Sequence, residues 1–190
     1  QGRVRKGRGL GMAPTAAVAD VLRLLRSDGL EVDTLYPGEC GTVILQDRGG
    51  RPSEEINIWE GMIFYKGPPG VRPVTRFKAS ILTTQGMQIP MLHGSTYQLY
   101  LHGEEVDCWI RKLYSSRQQQ VKGQKDMNLE EKKRPKRILA GYTAKVQIQV
   151  ARPVIIEPFS ESKALGRFAL RSKGETCAVG ICSAIRVKDT

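Results

Sequence analysis

Apolar and polar residues alternate with a period of two over several short stretches of this chain. In residues 76–82, Phe77, Ala79 and Ile81 alternate with Arg76, Lys78 and Ser80; in residues 143–150, Ala144, Val146, Ile148 and Val150 alternate with Thr143, Lys145, Gln147 and Gln149. Tyr97, Leu99 and Leu101 repeat the period. Each pattern predicts a half-buried antiparallel strand, because successive side chains of a strand point to opposite faces. Val106, Cys108 and Ile110 open another strand whose alternation breaks near Lys112, which predicts a bulge. Near the end, Cys177, Val179, Ile181, Ile185 and Val187 share one face, while Ala178, Gly180, Cys182 and Ala184 put small side chains on the other, where another backbone can approach. In residues 157–180 a strand hairpin is expected, with Phe168 and Leu170 on one face and Arg167, Ala169 and Arg171 on the opposite one, an arginine-rich rim. Gly and Pro separate these short runs, the punctuation of barrels and sandwiches, so the chain is expected to be all-β.

Three segments depart from simple alternation. Thr15 is placed to cap a helix, Val18, Val21, Leu22 and Leu25 fall at helical spacing, and Gly29 is placed to end it, so periodicity alone favours an amphipathic helix there. Residues 66–73, KGPPGVRP, shift the composition and predict a domain boundary, dividing the chain into residues 1–73 and 74–190. Residues 115–137 hold Arg117, Lys122, Lys125, Lys132, Lys133, Arg134, Lys136 and Arg137 against Asp126, Glu130 and Glu131, with no apolar period; a mobile basic loop between two strands is expected.

Composition narrows the chemistry. A chain of 190 residues with 40% hydrophobic content buries a real core. Thirty Lys plus Arg against nineteen Asp plus Glu leave +11, which favours a polyanionic partner and says nothing of fold. Two basic tracts offer phosphate contacts, Arg3, Arg5, Lys6 and Arg8 in one and Lys132, Lys133, Arg134 and Lys136 in the other; the alternative is two solvated runs. Few aromatics sit among these basics, so base stacking is not indicated, and Trp59 and Trp109 are expected in core or inter-domain packing. Cys40, Cys108, Cys177 and Cys182 form no C-x-x-C pair and have no nearby His, so buried reduced thiols are expected rather than a metal site. His93 and His102 flank no nucleophile and are expected on the surface or in packing. No apolar run reaches the ~20 residues that span a bilayer, and no signal peptide is found; a reducing, cytoplasmic compartment and no membrane contact are expected. No G-x-x-x-x-G-K-[ST] loop occurs, and Gly7-Arg8-Gly9-Leu10-Gly11 is expected to be a turn. No catalytic residue stands out, and the opening at Gln1 inside a basic pattern suggests a piece of a longer protein.

Glu157, Phe159, Leu165, Gly166, Arg167, Phe168, Leu170, Arg171, Gly174, Thr176, Ala178 and Gly180 together resemble the third domain of the elongation factor Tu and elongation factor 1-alpha superfamily, above all the release-factor GTPase and the rescue GTPase that partners Pelota. Ser172 departs from the pattern, where these relatives usually carry an acidic residue. Ile89-Pro90 followed by Gly94, Lys133-Arg134-Pro135-Lys136 before a strand, and Arg152-Pro153-Val154 before Glu157 look most like the Pelota-partner branch. The resemblance implies two tandem β-barrels, the second and third domains of such a factor, with the GTPase domain, its GTP and its Mg²⁺ outside this chain and the first strands of the earlier barrel missing. It also implies strands rather than a helix at residues 15–26, since Pro14, Val18, the 22–25 run and Tyr36-Pro37-Gly38-Glu39 line up with the second-domain barrel. The implied partner is a tRNA-mimicking protein, Pelota-like or a class-one release factor, held by Gly166, Arg167, Phe168, Leu170 and Arg171, with Phe168 and Leu170 serving the interior more than the interface. The basic tracts then become candidate ribosomal RNA contacts, and a monomer is expected. Termination, an exosome-adaptor branch and a stand-alone RNA-binding β module are the alternatives.

Overall fold

A computed structural model describes residues 2–15, 17–48, 58–67, 72–119 and 131–185. Its described elements are all strands, as the alternation predicts, and they fall into two compact units, Gln1–Arg72 and Pro73–Thr190.

In the first unit, β1 (Val4–Arg5) pairs with β4 (Thr34–Leu35), and an antiparallel sheet runs in the order β5 (Gly41–Asp47), β3 (Val18–Arg26), β2 (Gly9–Ala13), β6 (Ile63–Tyr65). Residues 18–26 are thus a strand, as the family resemblance implies and periodicity alone does not. The cause is a bulge between Val21 and Arg23, which puts Ala19, Val21 and Leu24 on the buried side and stretches one step of the period from two to three. Leu10, Val21, Leu24 and Leu35 form the small core, with Val4, Val32 and Leu45 packed on it. The stretch expected as a glycine-rich turn is one only at Gly7, with φ 73°; Gly9 and Gly11 belong to β2.

The second unit is a closed barrel. Its strands run β10 (Glu104–Gln118), β13 (Tyr142–Ile155), β7 (Pro73–Thr83), β15 (Glu175–Ala184), β14 (Arg167–Ser172), β9 (Thr96–Leu101), and β9 pairs back onto β10. β11 (Lys132–Lys133) lies against Ser115 and Ser116 of β10, and β8 (Met91–Leu92) pairs with β12 (Arg137–Ile138). Phe77, Ile81, Leu99, Ile110, Val146, Ile148 and Leu170 fill the interior, each from the face that alternation assigns. The bulge expected near Lys112 is present, as a register shift between Ile110 and Lys112. Two hairpins close through two-residue turns, His102-Gly103 (φ 51° and 82°) and Lys173-Gly174 (φ 52° and 81°). Positive φ at both positions is the twist-matched turn, and glycine meets it without a Cβ penalty.

Four expectations need correction. On β15 Cys177 does not share a face with Val179 and Ile181: it is buried with Ala178 and Cys182, whereas Val179 and Ile181 are 43% and 37% exposed. Phe168 of β14 and Phe77 of β7 meet edge to face at 5.5 Å and 75°, filling the volume that larger β15 side chains would need. A register shift between Leu170 and Arg171 lets both Cys177 and Ala178 be buried in succession, which flips the alternation. Second, Cys40 is exposed, although the other three cysteines are buried. Third, the core alternative offered for the tryptophans does not hold: Trp109 is half-buried on the outward side of β10, and Trp59 is half-buried outside any strand. Fourth, the basic stretch is not a free loop at its ends, since β10 runs on to Gln118, β11 and β12 lie within residues 131–138, and the Arg134 amide donates to the Tyr114 carbonyl at 3.1 Å or less (2.8 Å). Lys122, Lys125, Asp126 and Glu130 of that stretch, and Val187, lie outside the described residues. Among the described residues no helix is long and apolar enough to cross a membrane, and no group of three metal-ligating side chains occurs.

Candidate protein-docking surface

The hydrogen-bond register defines which side chains share the outer wall of the barrel. Arg167 pairs with Ile181, which pairs with Ser80; Tyr100 pairs with Ala169, which pairs with Val179, which pairs with Leu82. These residues alternate with the inward Phe168, Leu170, Ala178 and Ile81, so they face outward. They form the wall of a groove of about 770 Å³ that extends to the His102-Gly103 turn and to Ala164. Exposed valine and isoleucine side chains side by side on a sheet face mark a candidate interaction surface.

Arginines flank this apolar stripe. Arg167 is exposed, its guanidinium 5.3 Å from the Phe159 ring centroid. Arg171 is half-buried: it stacks 5.1 Å from the Tyr100 ring centroid and donates to the Gly174 carbonyl at 2.5 Å. Tyr100 in turn donates its hydroxyl proton to the Glu105 carboxylate, which holds the Tyr100 pKa above its ordinary value. Arg171 is therefore partly committed to bracing its own hairpin, and Arg167 is the freer of the two for a second molecule. Arginine's planar fork suits carboxylates and carbonyl oxygens.

The other residues expected at a partner site are inside. Phe168 and Leu170 belong to the core. Gly166 is buried: a Cβ there would sit 2.6 Å from Phe159 Cα, while its amide donates to Ser162 and its carbonyl accepts from Cys182. Its place is to let the segment before β14 fold over the barrel end. Sequence reasoning did not place Val179, Ile181, Leu82 or Tyr100 at the partner site; the register of β15 against β14 and β7 is what brings them together.

The two basic tracts lie in different units. Arg3, Arg5 and Arg8 are exposed, and Lys6 binds Glu31 at 2.9 Å. Lys132, Lys133, Arg134 and Lys136 are exposed around β11.

With this geometry in hand, known proteins bear on the chain in three ways. A family model described as GTP-eEF1A C-terminal domain-like matches residues 76–183, which is the barrel nearly whole. Among curated relatives, the eukaryotic peptide chain release factor GTP-binding subunit of Candida maltosa is 30% identical over 179 residues, 94% of this chain and 24% of that protein. Elongation factor 1-alpha of Methanosphaerula palustris is 32% identical over 127 residues, 64% of this chain and 28% of that protein. The chain thus spans about a quarter of the length of those relatives. The crystal structure of sup35 complexed with GDP superposes with a TM-score of 0.81 over 98% of this chain and 42% of that one, at 20% identity, which establishes likeness of fold. The match over residues 76–183 covers more than half of the sequence, and the chain belongs to the GTP-eEF1A C-terminal domain-like family of translational GTPases.

Proposed function

We propose that this chain is the barrel region through which a translational GTPase holds a tRNA-mimicking protein, a Pelota-like factor, during ribosome rescue and mRNA surveillance in the cytoplasm. The observation that carries the reading is the outward pair Val179 and Ile181 beside Arg167, an apolar stripe with a cationic edge on a rigid wall. Rigid strands keep such a surface preorganised, which lowers the entropy lost on association. Ile89-Pro90, Gly94 and the Lys133-Arg134-Pro135-Lys136 run support the rescue branch in particular. A class-one release factor is the second reading, favoured by release-factor subunits that match over 94% of the chain. Both readings use the same groove and differ in the occupant. In either, the exposed Arg3, Arg5, Arg8, Lys132, Lys133, Arg134 and Lys136 are proposed contacts to ribosomal RNA phosphate.

Titration calorimetry with a Pelota-like factor and, separately, with a class-one release factor tests this. Ile181→Asp and Arg167→Ala, both at exposed positions, should each weaken the preferred partner about tenfold or more, the cost of charging or truncating a well-packed interface residue, with unchanged circular dichroism. Binding of neither factor, or unaltered affinity in both variants, defeats the proposal.

A further inference from the structure

We infer that the outer faces of β7, β13 and β10 form a second docking surface, adjoining the groove at Ser80 and Thr143, whose occupant is single-stranded RNA. The register assembles it in rows. Trp109 pairs with Gln149, which pairs with Arg76; Lys112 pairs with Gln147, which pairs with Lys78; Ser115 pairs with Lys145, which pairs with Ser80; Arg117 pairs with Thr143. Each of these side chains alternates with an inward neighbour such as Ile148, Val146 or Ala79, so the rows face out.

Charge is segregated around the barrel wall, and that separates this face from a merely soluble basic surface. The β9–β10 hairpin sector carries Glu104, Glu105 and Asp107. The rows described above carry Lys78, Lys112, Arg117, Lys145 and Arg76, with Lys133 of β11 beside Ser115; the carboxylates described beside them are Asp107, two residues before Trp109 on the outward face of β10, and Glu131, 4.0 Å from Lys145. That ion pair is 67% and 51% exposed on its two sides and holds little. Arg76 and Lys112 each engage an interaction of their own.

Two aromatic rings stand among these cations. Trp109 is half-buried at one end of the face. Tyr114 lies with the Lys78 ammonium 5.2 Å from its ring centroid and donates to the Gln147 side-chain carbonyl at 3.2 Å, beneath which Gln147 is only 2% exposed. Ring and amide are thereby fixed. Cations that follow a backbone and rigid rings on which bases stack are the two components of sequence-tolerant single-strand binding. The neutral donor and acceptor among them, Gln149, suits the 2′-hydroxyl that distinguishes RNA from DNA. A mostly acidic protein would use the cations and leave the rings unexplained. Base stacking is not indicated within the two basic tracts; Trp109 and Tyr114 lie outside both, and the bulged β10 carries them to the face that β7 and β13 make basic.

The test is fluorescence anisotropy of the whole chain with a labelled oligouridylate of about 20 nucleotides, its DNA counterpart and poly-glutamate, over a range of salt. The slope of log affinity against log salt should lie near −3, about −0.7 for each of some four phosphates. Lys78→Gln with Lys145→Gln should make that slope shallower by about 1.4, and Trp109→Leu should weaken RNA at least fivefold while hardly changing the slope. Ile181→Ser, which removes the apolar groove wall without adding charge, should leave RNA binding untouched, which separates this face from the groove. The inference is overturned if poly-glutamate or DNA competes as well as RNA, if Trp109→Leu has no effect in a chain of unaltered circular dichroism, or if Arg5→Gln with Arg8→Gln removes the binding instead.

Discussion

Gly180 and Phe168 face each other across β15 and β14, and the ring lies over the glycine. A Cβ at position 180 would fall 2.5 Å from Phe168 Cζ, 2.8 Å from its Cε2 and 2.9 Å from Ile81 Cγ2. Comfortable carbon contacts begin near 3.5 Å, so in Gly180→Ala the end of the ring has to retreat by about 1 Å. It has nowhere to go, because Phe77, itself fully buried, meets Phe168 at 5.5 Å between centroids. Overpacking of this kind costs about 1–3 kcal/mol. Alanine recovers about 0.5–1 kcal/mol of chain entropy relative to glycine, which leaves a net loss of roughly 0.5–2 kcal/mol. In a Phe168→Leu background the obstructing atoms are gone, and Gly180→Ala should become neutral or slightly stabilising. Urea unfolding of the chain and its three variants, followed by far-UV circular dichroism, then yields a double-mutant cycle with a coupling of at least ~1 kcal/mol. Additive effects within ~0.3 kcal/mol, or a Gly180→Ala variant as stable as the parent, would refute the claim that the aromatic pair dictates small residues on β15.

Thr83, 2% exposed, donates its hydroxyl proton to the Leu139 carbonyl at 2.7 Å, with the Tyr142 carbonyl at 3.0 Å, and accepts from the Tyr142 amide at 2.8 Å. Thr83→Val strands these main-chain groups and should cost about 1–3 kcal/mol, measurable as a drop in Tm, whereas Thr83→Ser should retain most of the stability; equal losses would contradict the hydrogen-bond account. Burial holds the His102 pKa below its ordinary value, against opposing contributions from the Ile155 and Leu165 backbone and Glu104. The unfolded chain therefore binds the proton first as pH falls below ~6.5, so stability is present above that value and declines through the window beneath it. His102→Asn, which tolerates the positive φ of the turn, should flatten the urea midpoint between pH 7 and 5; an unchanged slope would assign it to other groups.

Where a strand is regular, its sequence was sufficient. Phe77, Ala79 and Ile81 of β7, and Ala144, Val146, Ile148 and Val150 of β13, are buried on the side that alternation predicts. Bulges are where local pattern misleads. An extra residue at Leu22 turns β3 into an apparent helical repeat, and consecutive burial of Cys177 and Ala178 reverses the faces of β15. Hydropathy could not place Val179 and Ile181 outside, because the reason lies in the volume that Phe77 and Phe168 occupy from other strands. For the docking surface, the outward setting of Arg167 and Arg171 was legible along β14 itself. Their apolar companions come from β15, β9 and β7 and depend on long-range register. Trp109 illustrates the same limit: its flanking residues read as core, yet its parity after Cys108 turns it outward.

Because β9 pairs with both β10 and β14, the ring of backbone hydrogen bonds in the barrel is complete. An extended peptide offered to it has no vacant ladder to join, so recruitment by strand addition is closed to this unit. Whatever binds must read side chains on the walls or the loops at the ends. The shortest seam is β9 against β14, where Ala169, Leu170 and Arg171 oppose Tyr100, Leu99 and Gln98, so prying the cylinder open there would both expose a sticky edge and dismantle the Arg171–Tyr100 stack that borders the groove.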